Sequence, residues 1–209
     1  MSKLSPRIIL IGGGEITKRE TLAIDKEFIR LSGGKKAVIG FFPTAADDSE
    51  GYMKTFTSYI KTLGCQNVVP AKLSKSTPEE STKLIRKMSG IYLGGGATKT
   101  LIRIFKEKGT NREIKKALRR GVVLAGMSAG ALAACDYYID PDTETEKQEI
   151  EEGLGFQHKV LCVVHYQQNR AKDKLALSCL QKRFPDYEVV GIKEKRAILI
   201  SGEAVKWLG

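Results

Sequence analysis

Gly126-Met127-Ser128-Ala129-Gly130 breaks an apolar run, Val122 to Cys135, at the point where a buried strand would turn into a helix of small residues. The spacing fits G-x-S-x-G, in which a sharp strand-to-helix turn exposes a serine hydroxyl. Small neighbours are required there because the backbones approach closely. The same turn sets Ser128 at a helix N-terminus, where free N–H groups and the helix dipole favour developing negative charge. A serine N-cap at an ordinary strand–helix junction has this appearance too, so the case for chemistry depends on partners elsewhere in the chain.

A nucleophilic serine needs a base near neutral pKa. The chain holds two histidines, one on each side of the apolar stretch KVLCVV. Ligands of an open α/β sheet collect beyond the carboxyl ends of its strands. His165, which follows that stretch, therefore shares the Ser128 edge, and His158, which precedes it, is expected at the surface. An acid is needed to orient the imidazole. Glu194 follows the strand EVVGI, whereas Asp136, Asp140 and Asp142 come after the elbow helix. IYLGGGATKT bares backbone N–H groups after another strand, which suits an oxyanion hole or a phosphate cradle. A Walker A loop is excluded, because Thr98 and Leu93 stand where that motif needs glycine.

These residues must be positioned by a regular scaffold, and the pattern supplies one. Short, β-branched, mostly continuous apolar runs begin at Arg7, Ala37, Asn67, Gly90, Val122, Lys159 and Glu188, as expected of strands covered on both faces. Helical patterns lie between them. Tyr52, Phe56, Ile60 and Leu63 form one stripe stopped by Gly64, and Thr77-Pro78-Glu79-Glu80 reads as a capped helix start. Ile114, Ala117 and Leu118 mark a third helix, and Ala171, Leu175 and Cys179 a fourth that Pro185 ends. The order implies an α/β fold: a doubly wound, mainly parallel sheet with helices on both faces, in a single domain over residues 1–209. RAILISGEAVKWLG is expected to add a hairpin turning at SGE. The acidic stretch Asp140 to Gly153 reads as a mobile surface segment.

Composition narrows the function further. Lys and Arg exceed Asp and Glu by 35 − 24, giving a net charge of +11. The positive residues spread over wet helix faces without interleaved aromatics, so no nucleic-acid partner is expected. No apolar run approaches the roughly 20 residues of a membrane span, and the first residues lack a signal-peptide pattern, so no membrane partner and a cytoplasmic location are expected. Cys65, Cys135, Cys162 and Cys179 lack C-x-x-C spacing and read as reduced core residues, not as a disulfide framework or a zinc site. Nothing in the sequence bears on oligomeric state.

ILIGGGEI, FFPTAADDS, YLGGGATKTL, AGMSAGA, GLGF followed by HY, and GIKEKRAI occur in an order that resembles the peptidase E (aspartyl dipeptidase) and cyanophycinase family of serine peptidases. The likeness runs over nearly the whole chain. It implies a three-layer fold similar to class I glutamine amidotransferases and a Ser, His, Glu order, here Ser128, His165 and Glu194. It further implies that Gly96 and Ala129 donate the oxyanion N–H groups and that position 97 lies near the substrate. From the residues themselves, Gly95 is expected beside the substrate and Arg170, five residues past His165, is expected to select an acidic substrate terminus. Ala97 stands where the family commonly has Asn, and HYQQNRAKDKL retains only part of the basic segment that follows the His in cyanophycinases. The reading is an intracellular serine hydrolase, an exo- or dipeptidase that cleaves a small peptide through an acyl-enzyme, with no metal or organic cofactor. The alternative, favoured by Ala97, is an amidotransferase-like binding or regulatory domain without turnover.

Overall fold

The apolar runs and helical stripes become, in chain order, β1 (Arg7–Ile11), α1 (Leu22–Leu31), β2 (Val38–Phe42), α2 (Glu50–Thr62), β3 (Asn67–Pro70), α3 (Pro78–Arg86), β4 (Gly90–Leu93), α4 (Thr98–Glu107), α5 (Thr110–Arg119), β5 (Val123–Met127), α6 (Ala129–Ala134), β6 (Tyr137–Ile139), β7 (Ile150–Glu152), β8 (Val160–Val163), α7 (Ala171–Arg183), β9 (Glu188–Gly191), β10 (Ala197–Ser201) and β11 (Ala204–Leu208). This computed structural model describes residues 5–141 and 148–209. Seven strands form one sheet in the order β11-β10-β1-β5-β4-β2-β3. Five of them are parallel, and the C-terminal hairpin adds β10 antiparallel to β1. β5 lies between β1 and β4, in register from Arg7↔Val123 to Ile11↔Met127 and from Gly90↔Val123 to Leu93↔Gly126. That central place explains why every residue of β5 is buried and why its sequence is continuously apolar.

Alternate strand residues feed two cores. Ile9, Ile11, Ile39, Phe41 and Tyr92 pack against α1 and α2, while Ile8, Leu10, Phe42, Ile91 and Leu93 meet the helices of the opposite face. α3 begins at a full capping box, Thr77 to Glu80 with Pro78 at its first position, which holds two otherwise orphaned N–H groups. α7 departs from the expected stripe. Its buried residues are Asp173, Ala176 and Leu180, and Leu175 is 47% exposed. Asp173 turns inward because two donors of the preceding turn need its carboxylate, so the buried face starts at a polar residue that an apolar-stripe reading passes over.

The strands that lead to His165 and Glu194 do not join the large sheet, contrary to the expectation of a shared sheet edge. Among the described residues β8 and β9 pair only with each other, parallel, from Val160↔Glu188 to Val163↔Gly191. The open side of β1 is already taken by β10, so the pair packs instead over the layer that contains α6 and β6. The acidic insert is also more ordered than expected at its end, since Ile150–Glu152 pairs antiparallel with Tyr137–Ile139. Asp142 and the rest of 142–147 lie outside the described residues. Cys65, Cys135 and Cys162 are buried free thiols and Cys179 is half-buried. Among the described residues no helix is long and apolar enough to cross a membrane.

Candidate active site

The elbow is enforced by its glycines. A Cβ on Gly126 would meet Gly130 O at 2.4 Å, and one on Gly130 would meet Leu93 O at 2.4 Å. Neither position has room for a side chain, so α6 can start directly against β4 and β5. Between them Ser128 is held at φ 52°, ψ −112°, a conformation costing a non-glycine residue about 1–3 kcal/mol. The surroundings impose it: Ser128 N–H donates to Ile11 O at 2.9 Å, and Ser128 O accepts the first helical bonds from Ala131 and Leu132. The side chain is thereby turned out of the sheet.

His165 meets it there. Ser128 Oγ lies 2.7 Å from His165 Nε2, and His165 Nδ1 is hydrogen-bonded to Glu194 Oε1. His165 is itself left-handed, at φ 51°. Two glycines after β1 position this pair. Gly12 O accepts the His165 N–H at 2.9 Å, Gly12 N–H donates to Arg196 O, and Gly13 O accepts the Lys195 N–H at 3.0 Å. The loops bearing the imidazole and the carboxylate are thus both tied to the end of β1, which neighbours β5. Gly13 has φ 153°, and a Cβ there would fall 2.5 Å from His165 Cε1 and 2.6 Å from Glu194 Oε2. Gly13 received no role from the sequence. The run GGG after a strand was its signal, but only the fold shows which side chains need the space.

A cavity of about 180 Å³ opens beside Ser128, walled by Gly96, Ala129, Asp140, His165 and Arg170 among others. Gly96, at φ 134°, is packed so closely on Ala45 that a Cβ would meet its carbonyl oxygen at 2.2 Å. Ala129 is the first residue of α6, where the N–H groups lack an intrahelical acceptor. Arg170 donates through Nε to Asp173 Oδ1 at 2.8 Å and through Nη2 to His165 O at 3.3 Å. Asp173 also accepts the Gln167 N–H at 2.7 Å, so a nearly buried carboxylate fixes the guanidinium at the cavity wall. Ala97 precedes α4 without a side-chain cap, its N–H donating to Ala45 O at 2.7 Å, and the cavity wall there is formed by Gly96 and Thr98. Gly95 lines an adjoining cavity.

The other acids are engaged elsewhere or differently placed. Asp136 Oδ1 lies 2.8 Å from His158 Nδ1, and Asp136 Oδ2 accepts from Tyr187 OH, an arrangement remote in its partners from Ser128. His158 is exposed. Asp140 lines the Ser128 cavity. On the opposite face of the sheet a buried polar cluster went unread in the sequence: Asp25 accepts from Thr21, Tyr59 and Tyr92 hydroxyls at 2.7, 2.8 and 3.3 Å. Burial pushes Asp25 up to about 6 against the three hydrogen bonds that favour its charge. Among the described residues no group of three or more His, Cys, Asp or Glu side chains is arranged to hold a metal ion.

Comparison with known proteins agrees with this architecture. The model of Peptidase family S51 matches residues 8–208. The uncharacterized peptidase YgaJ of Bacillus subtilis (strain 168) is 36% identical over 129 residues, 60% of this chain and 55% of that protein. A cyanophycinase of Synechococcus elongatus is 24% identical over 207 residues, 94% of this chain and 63% of that one. The chain therefore spans less than two thirds of the length of these relatives. Among solved structures, a putative peptidase E protein from Listeria monocytogenes EGD-e superposes with a TM-score of 0.72, covering 97% of this chain and 98% of that one at 22% identity. A peptidase from an acI-B1 Actinobacterium gives 0.79 over 100% of this chain and 89% of its own, again at 22% identity. At that identity the structures speak for the fold.

Proposed function

The chain belongs to Peptidase family S51, a family of serine-type peptidases, and from that premise we propose that it hydrolyses small peptides as an exo- or dipeptidase through an acyl-enzyme on Ser128. The observation that carries this reading is the 2.7 Å contact between Ser128 Oγ and His165 Nε2, continued through Nδ1 to Glu194. As Ser128 Oγ attacks the scissile carbonyl, His165 Nε2 takes its proton. The new C–O bond forms while the carbonyl π electrons move onto oxygen, and the N–H groups of Gly96 and Ala129 receive that oxyanion. Collapse breaks the C–N bond, and His165 returns the proton to the leaving amine. Water then attacks the ester carbonyl as His165 Nε2 takes its proton, the acyl C–O bond to Ser128 breaks, and His165 returns the proton to Ser128 Oγ. Glu194 keeps the proton on Nδ1 and stabilises the imidazolium. Arg170, held by Asp173, faces the cavity as a cation suited to a substrate carboxylate.

The test is hydrolysis of a dipeptide library by wild type and Ser128→Ala. Wild type releases amino acids, and the variant loses at least about 10³-fold in kcat with its fold intact, since alanine removes one atom from a half-buried side chain. A loss below about tenfold would overturn the nucleophile assignment.

A further inference from the structure

A second cavity, of about 380 Å³, adjoins the first across the glycine loop and is lined by Gly14, Glu15, Ile16, Tyr52, Gly95 and Met127, among others. Gly95 and Met127 immediately precede Gly96 and Ser128 of the first cavity, and a Cβ on Gly95 would lie 3.6 Å from Ser128 Cβ. Gly14 follows Gly13, which abuts the His165 ring. The Ser128–His165 contact therefore lies in the first cavity, beside the Gly95–Gly96 and Met127–Ser128 steps that lead to the second, so a substrate seated on Ser128 can extend into both.

The two cavities differ in lining. The first carries the Arg170 guanidinium, held by Asp173, together with the Asp140 carboxylate. The second has walls of Ile16, Met127 and the Tyr52 ring, with the Glu15 carboxylate at its rim. Glu15 accepts from Thr17 Oγ1 at 3.0 Å, and among the described residues it forms no ion pair. Burial pushes the Tyr52 hydroxyl up to about 12, and the charges of Asp25 and Glu15 add to that push, so the Glu15 carboxylate acts on the inner wall. Tyr52 OH in turn accepts the Gly95 N–H at 3.4 Å, which holds the glycine loop in place.

We propose that the second cavity receives the amino-terminal residue of the substrate, its free α-ammonium paired with Glu15, while the carboxylate-bearing part on the far side of the scissile bond lies against Arg170. This deepens the serine peptidase reading and rests on it. The assignment fits the direction of the chemistry. Ser128, His165 and the oxyanion donors Gly96 and Ala129 all line the first cavity, so the scissile carbonyl and the departing amine lie there, and the amino-terminal end of the acyl residue reaches past Gly95 into the second. A short peptide with free ends carries one positive and one negative charge at its two termini, matching Glu15 on one side of the glycine loop and Arg170 on the other.

The experiment follows protection of Ser128 from a fluorophosphonate by a pool of free dipeptides and by the same pool acetylated on its amino terminus. For wild type the free pool protects about tenfold better, the worth of one charge-assisted hydrogen bond. Glu15→Gln brings the ratio near one, and Glu15→Asp, which keeps the charge, retains most of it. A wild-type preference preserved in Glu15→Gln overturns the proposal, as does labelling that neither pool slows. Protection by acetylated dipeptides confined to those with Lys at the first position assigns the cavity to a side-chain cation and overturns the α-ammonium assignment. Failure of the wild type to label at Ser128 is a different result, because it removes the serine peptidase reading itself.

Discussion

The two halves of the candidate site are built in opposite ways. Ser128 sits at the end of β5, the buried centre of the sheet, and its turn is compelled by backbone contacts that leave Gly126 and Gly130 no room for a Cβ. His165 and Glu194 sit on loops leading from a separate two-stranded sheet, with side chains 36% and 49% exposed, and are registered by a few backbone hydrogen bonds to Gly12 and Gly13. Steric exclusion fixes the first half, and main-chain hydrogen bonding the second. The difference implies that changes at the elbow glycines cost stability, whereas changes at the loops cost alignment of the imidazole and leave the fold standing.

The largest effect is expected at Glu194. Glu194→Gln keeps the shape but favours the wrong imidazole tautomer, lowering kcat by about 10²–10⁴-fold with little change in stability, the upper end being the loss for the comparable Asp-to-Asn change in a serine protease. Asp140→Asn moves kcat far less, because Asp140 is not the partner of His165 Nδ1. Steady-state kinetics of both variants on one substrate decide it, and near-normal turnover in Glu194→Gln beside a collapse in Asp140→Asn would reassign the acid.

The contrast between the halves is sharpened by one methyl group placed in each. Gly126→Ala drives a Cβ into the Gly130 carbonyl, backbone against backbone, and destabilises by about 3 kcal/mol. Gly13→Ala meets the far ends of the His165 and Glu194 side chains, which swing away, so the strain of an alanine at φ 153° is its main cost. It loses about 1–2 kcal/mol of stability but at least about tenfold in kcat. Urea unfolding and kinetics of the pair measure both quantities, and equal stability losses would erase the distinction.

A smaller, pH-dependent effect is expected beneath the sheet. Asp25 is raised by burial from 3.8 to about 6, so in that window the folded protein holds a proton that the unfolded chain releases. Its contribution is fully present below the unfolded value and is lost as pH rises toward about 6, on the order of 2–3 kcal/mol in all. Asn cannot ionise, so the stability difference between wild type and Asp25→Asn shifts by that amount between about pH 4 and pH 7. Unfolding midpoints that run parallel across the range would rule out the raised carboxyl.

How much of this was legible in the sequence follows the same division. Local steric demands write themselves into residue types, and G-x-S-x-G, the glycines before Ala97 and the Thr77 capping box are all visible as short motifs. The apolar periodicity likewise indicated the layers and most element positions. What the sequence did not carry is pairing at a distance. β8 and β9 look like strands of any parallel sheet, and nothing local says that β10 occupies the edge of β1 they would otherwise take. Asp173 and Asp25 were missed because a buried carboxylate is recognisable only from the donors that gather on it, and Tyr59 and Tyr92 lie 34 and 67 residues from Asp25.

The central claim is that the Ser128 hydroxyl is activated by His165 across the junction between the two halves. It is tested most directly by the rate at which a fluorophosphonate forms an adduct on Ser128, located by peptide mass spectrometry, in wild type, His165→Ala and His158→Ala. His165→Ala is expected to slow the reaction by at least about 100-fold, whereas His158→Ala, on an exposed residue paired with Asp136, reacts like wild type. An adduct on another residue, or equal rates in wild type and His165→Ala, would contradict the account.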